Sequence, residues 1–270
     1  MGRQGLKGPR VLLATVCLEP QRWSPGRMPS IAASQWCRRA CESGFDGVEL
    51  WAPHALKAGS DEGRALRADT GCQVVVLNAY DNFEASPAAR KAREETLALL
   101  KDLGVEAVKF NLGPDQGRFA EYLEELEDFL SRLPLAAGGE YVKALCECHA
   151  GTVVSTPEAA RNMLSALRDQ GVGIIVHPFN ENEQAIREWF SLCGDRIIHA
   201  HLQSREGPLS DRREWTLDRL NLLKQLGYQG DFTIEFVAGT GDPDESPEIQ
   251  FKRAVEDLAV LKSCLSLGKT

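Results

Sequence analysis

Gly173-Ile174-Ile175-Val176-His177-Pro178 and, beyond an amphipathic stretch from Glu183 to Leu192, Ile197-Ile198-His199-Ala200-His201-Leu202-Gln203 carry the pattern that decides the fold. Each is a short, β-branched apolar run that closes on polar side chains. Runs of this kind read as strands buried on both faces, and a helical connection between two of them reads as the crossover of a parallel sheet. Working outward, the same unit recurs. Further strands are expected at Val11 to Cys17, Gly47 to Trp51, Gln73 to Asn78, Ala107 to Asn111, Val142 to His149 and Phe232 to Phe236. Helices are expected at Ser30 to Ser43, Ala88 to Leu103, Arg118 to Leu133, Pro157 to Gln170, Thr216 to Leu226 and beyond Ser246. Ser30 and Thr156 are candidate N-caps, and Gly44, Gly104, Gly171 and Gly227 are candidate helix stops at positive φ. Eight units in 270 residues average about 34 residues each, which suits a single α/β domain over 1–270 folded as a (β/α)₈ TIM barrel. The first strand is not followed by Gly-x-Gly-x-x-Gly and no P-loop occurs, so a doubly wound nucleotide-binding sheet lacks its chemical signature.

Composition narrows the function. Hydrophobic residues at 43% and charged residues at 26% exclude wholesale disorder. Thirty-one basic against 39 acidic residues leave a formal charge of -8, the wrong sign for a domain that grips nucleic acid through its phosphates. The eight cysteines are scattered through a full-sized domain, so they read as reduced thiols and the cytoplasm as the address. Residues 1–9 read as a flexible basic N-terminus. Val11 to Cys17 is too short for a signal peptide core and reads as a first strand, and no apolar run reaches the length of a membrane span. A homo-oligomer is left open.

Ionisable residues gather at the carboxyl ends of the expected strands, the rim that carries chemistry in a barrel. Period-two alternation puts Glu49 on one face of strand two with Gly47 and Trp51, and Glu147 with His149 on one face of strand five, turning Cys146 and Cys148 outward under the helices. That splits the Cys-Glu-Cys-His string and argues against a thiolate metal knuckle. Strands six, seven and eight deliver His177, His199 with His201, and Glu235. Burying two glutamates without a cation or strong hydrogen bonds costs several kcal/mol. Glu147, His177, His201 and Glu235 therefore form a candidate ligand set for a divalent ion. Two imidazoles favour manganese, cobalt or zinc over magnesium. Glu49 is a candidate substrate contact or an interior ion-pair partner of Lys109. Lys109, His149 and His199 are further candidate substrate contacts.

Gly44-Phe45-Asp46-Gly47-Val48-Glu49-Leu50, Glu147-Cys148-His149-Ala150-Gly151-Thr152, His199-Ala200-His201-Leu202 and Ile234-Glu235 together resemble the xylose-isomerase-like sugar isomerase and epimerase superfamily. The resemblance implies a TIM barrel with a divalent ion held by glutamate, aspartate, histidine and glutamate on strands five to eight. The first, third and fourth correspond to Glu147, His201 and Glu235. The second departs: His177 stands where aspartate is usual, and Asn180 where a histidine commonly follows. The resemblance further implies that Glu147 and Glu235 flank the substrate and exchange a proton beside its carbonyl, and that Arg205 contacts the substrate's far end.

The expected activity is epimerisation or isomerisation of a small ketose, keto-sugar acid or sugar phosphate by metal-assisted proton transfer through an enediolate. A dehydratase or lyase is the alternative, because the same enolate can expel a β-hydroxyl. An apurinic-site endonuclease is disfavoured by the acidic charge and by too few histidines for a trinuclear site. An inactive sugar-binding barrel is a further alternative, raised by His177. No nucleic-acid or membrane partner is expected.

Overall fold

In the computed structural model, which describes residues 8–57, 60–68, 71–139, 141–167 and 170–267, the expected alternation closes on itself. The parallel strands are β1 (Val11–Ala14), β2 (Val48–Trp51), β3 (Val74–Asn78), β4 (Ala107–Phe110), β5 (Lys143–Glu147), β6 (Gly173–Val176), β7 (Ile197–Gln203) and β8 (Asp231–Phe236). They pair in sequence order, and β8 returns to β1 with Val11 opposite Phe232, which makes a closed (β/α)₈ TIM barrel. Around it run α1 (Ala33–Glu42), α2 (Pro53–Leu56), α3 (Ser60–Arg67), α4 (Pro87–Leu103), α5 (Phe119–Ala136), α6 (Pro157–Ala166), α7 (Glu183–Cys193), α8 (Arg213–Gln225) and α9 (Pro247–Leu267).

Three apolar clusters divide the work, the smallest made by Ala14, Val16, Trp51 and Phe236. Leu12, Val75, Val76, Ala107, Leu145 and Ile175 plug the lower barrel. A larger layer between strands and helices takes Cys146 and Cys148 together with Val108, Phe110, Ile174 and Ala200. The outward placement of the two thiols thus follows the alternation. With the lower barrel filled by apolar groups, polar side chains on the inner face have room only towards the carboxyl ends of the strands.

Local signals explain most boundaries. The Thr156 and Ser86 side chains accept from the backbone N–H groups of Ala159 and Ala89, each followed by proline at the first helical position. Gly104 ends α4 at φ 60°, a conformation that costs other residues more. Ser30 is a correction: α1 starts after Ala32 with no side-chain cap, and the Ser30 hydroxyl instead donates to Glu19 at 2.5 Å. The reduced-thiol reading is corrected at one pair, since Cys41 and Cys72 form a disulfide between α1 and the turn before β3, while the other six cysteines are free and buried. Of the expected flexible N-terminus, residues 1–7 lie outside the described residues. Directly after it, Arg10 is held by Asp231 and Glu106. No described helix is long and apolar enough to cross a membrane.

Asp81, in the loop after β3, is buried with Oδ2 unpartnered among the described residues. Burial pushes its carboxyl up to about 6, against the hydrogen bond from Thr96 and the charge of Arg93. A carboxyl raised in the fold is fully tolerated below its unfolded value and costs stability as pH rises through the folded one. Asp81→Asn is therefore expected to raise the unfolding free energy by on the order of 1–2 kcal/mol near about pH 8 and to leave it unchanged near about pH 4. Urea unfolding at the two pH values checks this; an equal effect at both would show that the charge is not what costs stability.

Candidate metal centre and active site

Glu147 is the last residue of β5, His177 follows β6 directly, His201 lies within β7 and Glu235 within β8. Four adjacent strands therefore send one side chain each to the same place. Their nearest donor atoms all lie within 4.8 Å of one another. His201 Nδ1 stands 3.2 Å from Glu147 Oε1 and 3.3 Å from Glu235 Oε2. His177 Nε2 stands 3.2 Å from Glu147 Oε1 and 3.8 Å from Glu235 Oε2.

The orientation of His201 is set from beneath. Its Nε2 lies 3.0 Å from Oε2 of Glu49, a fully buried carboxylate that can only accept. Nε2 is therefore the protonated nitrogen, and Nδ1 turns towards the oxygens of Glu147 and Glu235. An imidazole lone pair facing two carboxylate oxygens is repulsive unless a cation intervenes, either a proton on Nδ1 or a metal ion. These residues fit a divalent ion: two carboxylates for charge, two imidazole nitrogens, and an open side towards the cavity.

A chain of polar groups supports them. Asn78 donates from Nδ2 to Glu49 Oε1 at 2.8 Å and accepts on Oδ1 from Lys109 Nζ at 3.1 Å. Lys109, itself buried, closes the chain at 2.5 Å from Glu147 Oε2. The expected Glu49–Lys109 pairing is thus relayed by Asn78. Burial alone would neutralise each of these groups, and their neighbours win. Lys109 first, then His177 and His201, hold the Glu147 carboxyl well below its ordinary value. His201 and Lys109 keep Glu235 down at about 2 despite the nearby charge of Glu147. Glu49 is lowered by His201 and Lys109, and His201 is raised by Glu49 and Glu235.

The remaining candidates separate by depth. A cavity of about 670 Å³ opens onto Glu147, His177 and Glu235, and its wall also carries Lys109, His149 and Arg205. His149 is not on the strand face expected for it, because β5 ends at Glu147 and His149 sits in the following turn, exposed, with Nε2 3.9 Å from Glu147 Oε2. The turn closes through the Thr152 N–H to the His149 carbonyl, with Gly151 at φ 90°. Glu49 and His199, expected at the substrate, are buried beneath the residues that line the cavity. His199 Nε2 bonds the Thr233 hydroxyl at 2.7 Å, and burial pulls its pKa down to about 4, so it is a neutral packing residue there. Arg205 lies over the Phe236 ring at 4.1 Å.

Two polar residues escaped the sequence reading. Asn78 ends β3, and Gln203 ends β7 and donates to Glu235 Oε2 at 2.6 Å. Both occupy the strand-end position that singled out the charged residues, so weighing amides alongside ionisable groups would have found them.

Residues 37–264 match the model of a family described as xylose isomerase-like TIM barrel. Among solved structures, D-psicose 3-epimerase with D-tagatose from Clostridium cellulolyticum H10 superposes with TM-score 0.71 at 14% identity, over 95% of this chain and 99% of that one. The probable 3-DHS dehydratase AsbF of Bacillus anthracis gives TM-score 0.66 at 14% identity, over 94% and 98%. A xylose isomerase-like TIM barrel protein of Mycobacterium smegmatis in complex with magnesium gives TM-score 0.65 at 15% identity, over 96% and 100%. A comparison with curated proteins finds no significant match. At such identities the structures show the shared fold, and the family match covers most of the sequence: the chain belongs to the xylose isomerase-like TIM barrel family.

Proposed function

We propose that the protein is a sugar isomerase or epimerase that moves a proton at the carbon beside the carbonyl of a small ketose, keto-sugar acid or sugar phosphate. The observation that carries this reading is the convergence of Glu147 and Glu235, from β5 and β8, on two histidines at the floor of one cavity. Glu147, His177, His201 and Glu235 would hold a divalent ion, which when bound supplies Lewis-acid polarisation of the substrate's carbonyl and neighbouring hydroxyl.

The two carboxylates are not equivalent. Glu235 Oε2 is engaged by Gln203 and His201, whereas Oε1 makes no hydrogen bond among the described residues. Glu235 Oε1 is thus the atom positioned to take the proton. Both oxygens of Glu147 are engaged, Oε1 by the histidines and Oε2 by Lys109. Lys109 and the histidines hold Glu147 ionised, so return of a proton from its face first requires that Glu147 take one up from solvent in the cavity, and Lys109 then stabilises the carboxylate that remains. Return on the opposite face of the same carbon gives an epimer, and return to the neighbouring carbon gives the aldose–ketose isomer.

Screening ketoses, ketonic acids and their phosphates for deuterium uptake from D₂O, with manganese supplied, tests the reading. Exchange at one carbon without change of composition is expected. Absence of exchange across the panel contradicts it, and loss of water, read as a mass change, would make the enzyme a dehydratase. Glu49→Gln is expected to lower metal affinity about 10–100-fold by weakening the acceptor that orients His201, measured by competition with a chromophoric chelator; unchanged affinity would remove Glu49 from the metal centre's support.

A further inference from the structure

A second cavity of about 660 Å³ lies beside the first, walled by the segment after β6 and by the loop and first turns of α8 that follow β7. Asn180, Glu181, Gln203 and Arg205 line both cavities, so the two adjoin across these side chains. Three arginines line the second: Arg205, Arg212 and Arg219. Many arginines elsewhere are tied to carboxylates, as in Arg10 to Glu106 and Asp231, Arg22 to Glu245, and Arg132 to Glu94, while others such as Arg196 and Arg253 donate to backbone carbonyls. The three in the cavity make no hydrogen bond to any carboxylate among the described residues. They rest on aromatic faces instead: Arg212 lies 4.1 Å and Arg219 5.2 Å from the Trp215 ring, and Arg205 lies 4.1 Å from that of Phe236.

Arg219 is the most telling. It is 8% exposed, its Nη2 donates to the Glu181 carbonyl at 2.8 Å, and its buried Nη1 has no acceptor among the described residues. A guanidinium withdrawn from water with unused donors costs free energy that a bound anion would recover. Burial weakens the hold of Arg205 and Arg219 on their protons, as it does for cations with no paired anion. The acidic side chains at this cavity do not replace that anion. Glu206 is almost fully exposed and 3.9 Å from Arg212, and Glu183 is taken by Arg187 at 2.6 Å. Glu181 is exposed, and only its carbonyl reaches Arg219.

We infer that this chamber binds a phosphate monoester at the end of the substrate remote from Glu147 and Glu235, through Arg205, Arg212 and Arg219 supported by Trp215. A dianion with three terminal oxygens matches three forked donors, where a neutral sugar end would leave them unpaired. The substrate class, a phosphorylated ketose, rests on the proton-transfer reading above; the anion site itself does not.

Calorimetric titration with inorganic phosphate separates the two. Wild-type protein is expected to bind it, Arg212→Gln and Arg219→Gln to weaken binding about tenfold or more, Arg219→Lys to retain part of it, and the distant Arg132→Gln to bind as wild type. Arg212, on the cavity rim, serves if loss of the buried Arg219 impairs folding. Turnover completes the test: a ketose phosphate is expected to be preferred over its unphosphorylated counterpart, and Arg212→Gln to shrink that preference through KM with kcat little changed. Binding that these arginine variants weaken, without isotope exchange on any substrate, would uphold the chamber and overturn the reaction. Turnover of unphosphorylated sugars with no phosphate binding, or binding indifferent to both arginines, would overturn the chamber and leave the reaction standing.

Discussion

Glu235→Gln is expected to lower kcat/KM by about a thousandfold, the order contributed by a positioned acid–base group, while leaving the fold and its thermal midpoint intact. Glutamine keeps the size of the side chain and an oxygen that can accept from Gln203, which in the native chain donates to Glu235 Oε2 at 2.6 Å. What disappears is the basic Oε1 and one negative charge beside His201. Because Glu235 is held down at about 2, it is ionised throughout the neutral range and already in the proton-accepting form. Deuterium uptake should fall in parallel with turnover. A variant that exchanged substrate hydrogen within tenfold of the wild-type rate would show that the proton is removed elsewhere.

The largest stability effect is expected at Lys109. It is buried, 2.5 Å from Glu147 Oε2 and 3.1 Å from Asn78 Oδ1. Lys109→Met would leave the buried Glu147 carboxylate with its main counter-charge removed, a loss of about 3–5 kcal/mol by the behaviour of broken buried pairs. The pH dependence follows from the sign of the shift. With Lys109 present, Glu147 lies well below its ordinary value in spite of burial, so the pair stabilises the fold above the unfolded carboxylate range and that contribution fades in acid. Without Lys109, burial dominates and Glu147 rises, so the deficit is greatest near neutrality and shrinks below about pH 4. Urea unfolding with a chelator present measures it, and Lys109→Met combined with Glu147→Gln should recover most of the loss. A deficit under about 1 kcal/mol, far short of a broken buried pair, or no recovery in the double variant, would mean that the two charges do not depend on each other.

The strands were legible because each is a short apolar run whose hydrophobicity has one explanation, burial on both faces. Ile174 to Val176 and Ile197 to Leu202 show this most clearly. The convergence of Glu147, His177, His201 and Glu235 was legible for a related reason, since a charged residue ending a buried strand must sit where a cation or water can reach it. What escaped depends on contacts that alternation does not encode. His149 lies past the end of β5, where the Ala150-Gly151 turn replaces the period-two rule. Glu49 and His199 share the inward face with the site residues but sit one layer lower, a matter of barrel stagger that no single strand reveals. Ser30 carries the chemistry of an N-cap, yet Glu19 claims its hydroxyl. The pairing of Cys41 with Cys72 joins positions 31 residues apart whose approach only the closed barrel with its packed helices brings about. The polar α3, Ser60–Arg67, lacks the apolar run that marks the longer helices, and Ser34 bonds Glu62 from α1.

Anomalous diffraction from crystals grown with Mn²⁺ tests most directly whether the four side chains act as one centre. A single strong peak is expected within roughly 2.0–2.3 Å of Glu147 Oε1, His177 Nε2, His201 Nδ1 and Glu235 Oε2, distances usual for imidazole and carboxylate donors, with open coordination facing the cavity. Manganese bound elsewhere, or no peak at that point with the tips of Glu147 and Glu235 turned apart, would contradict a shared metal and proton-transfer site.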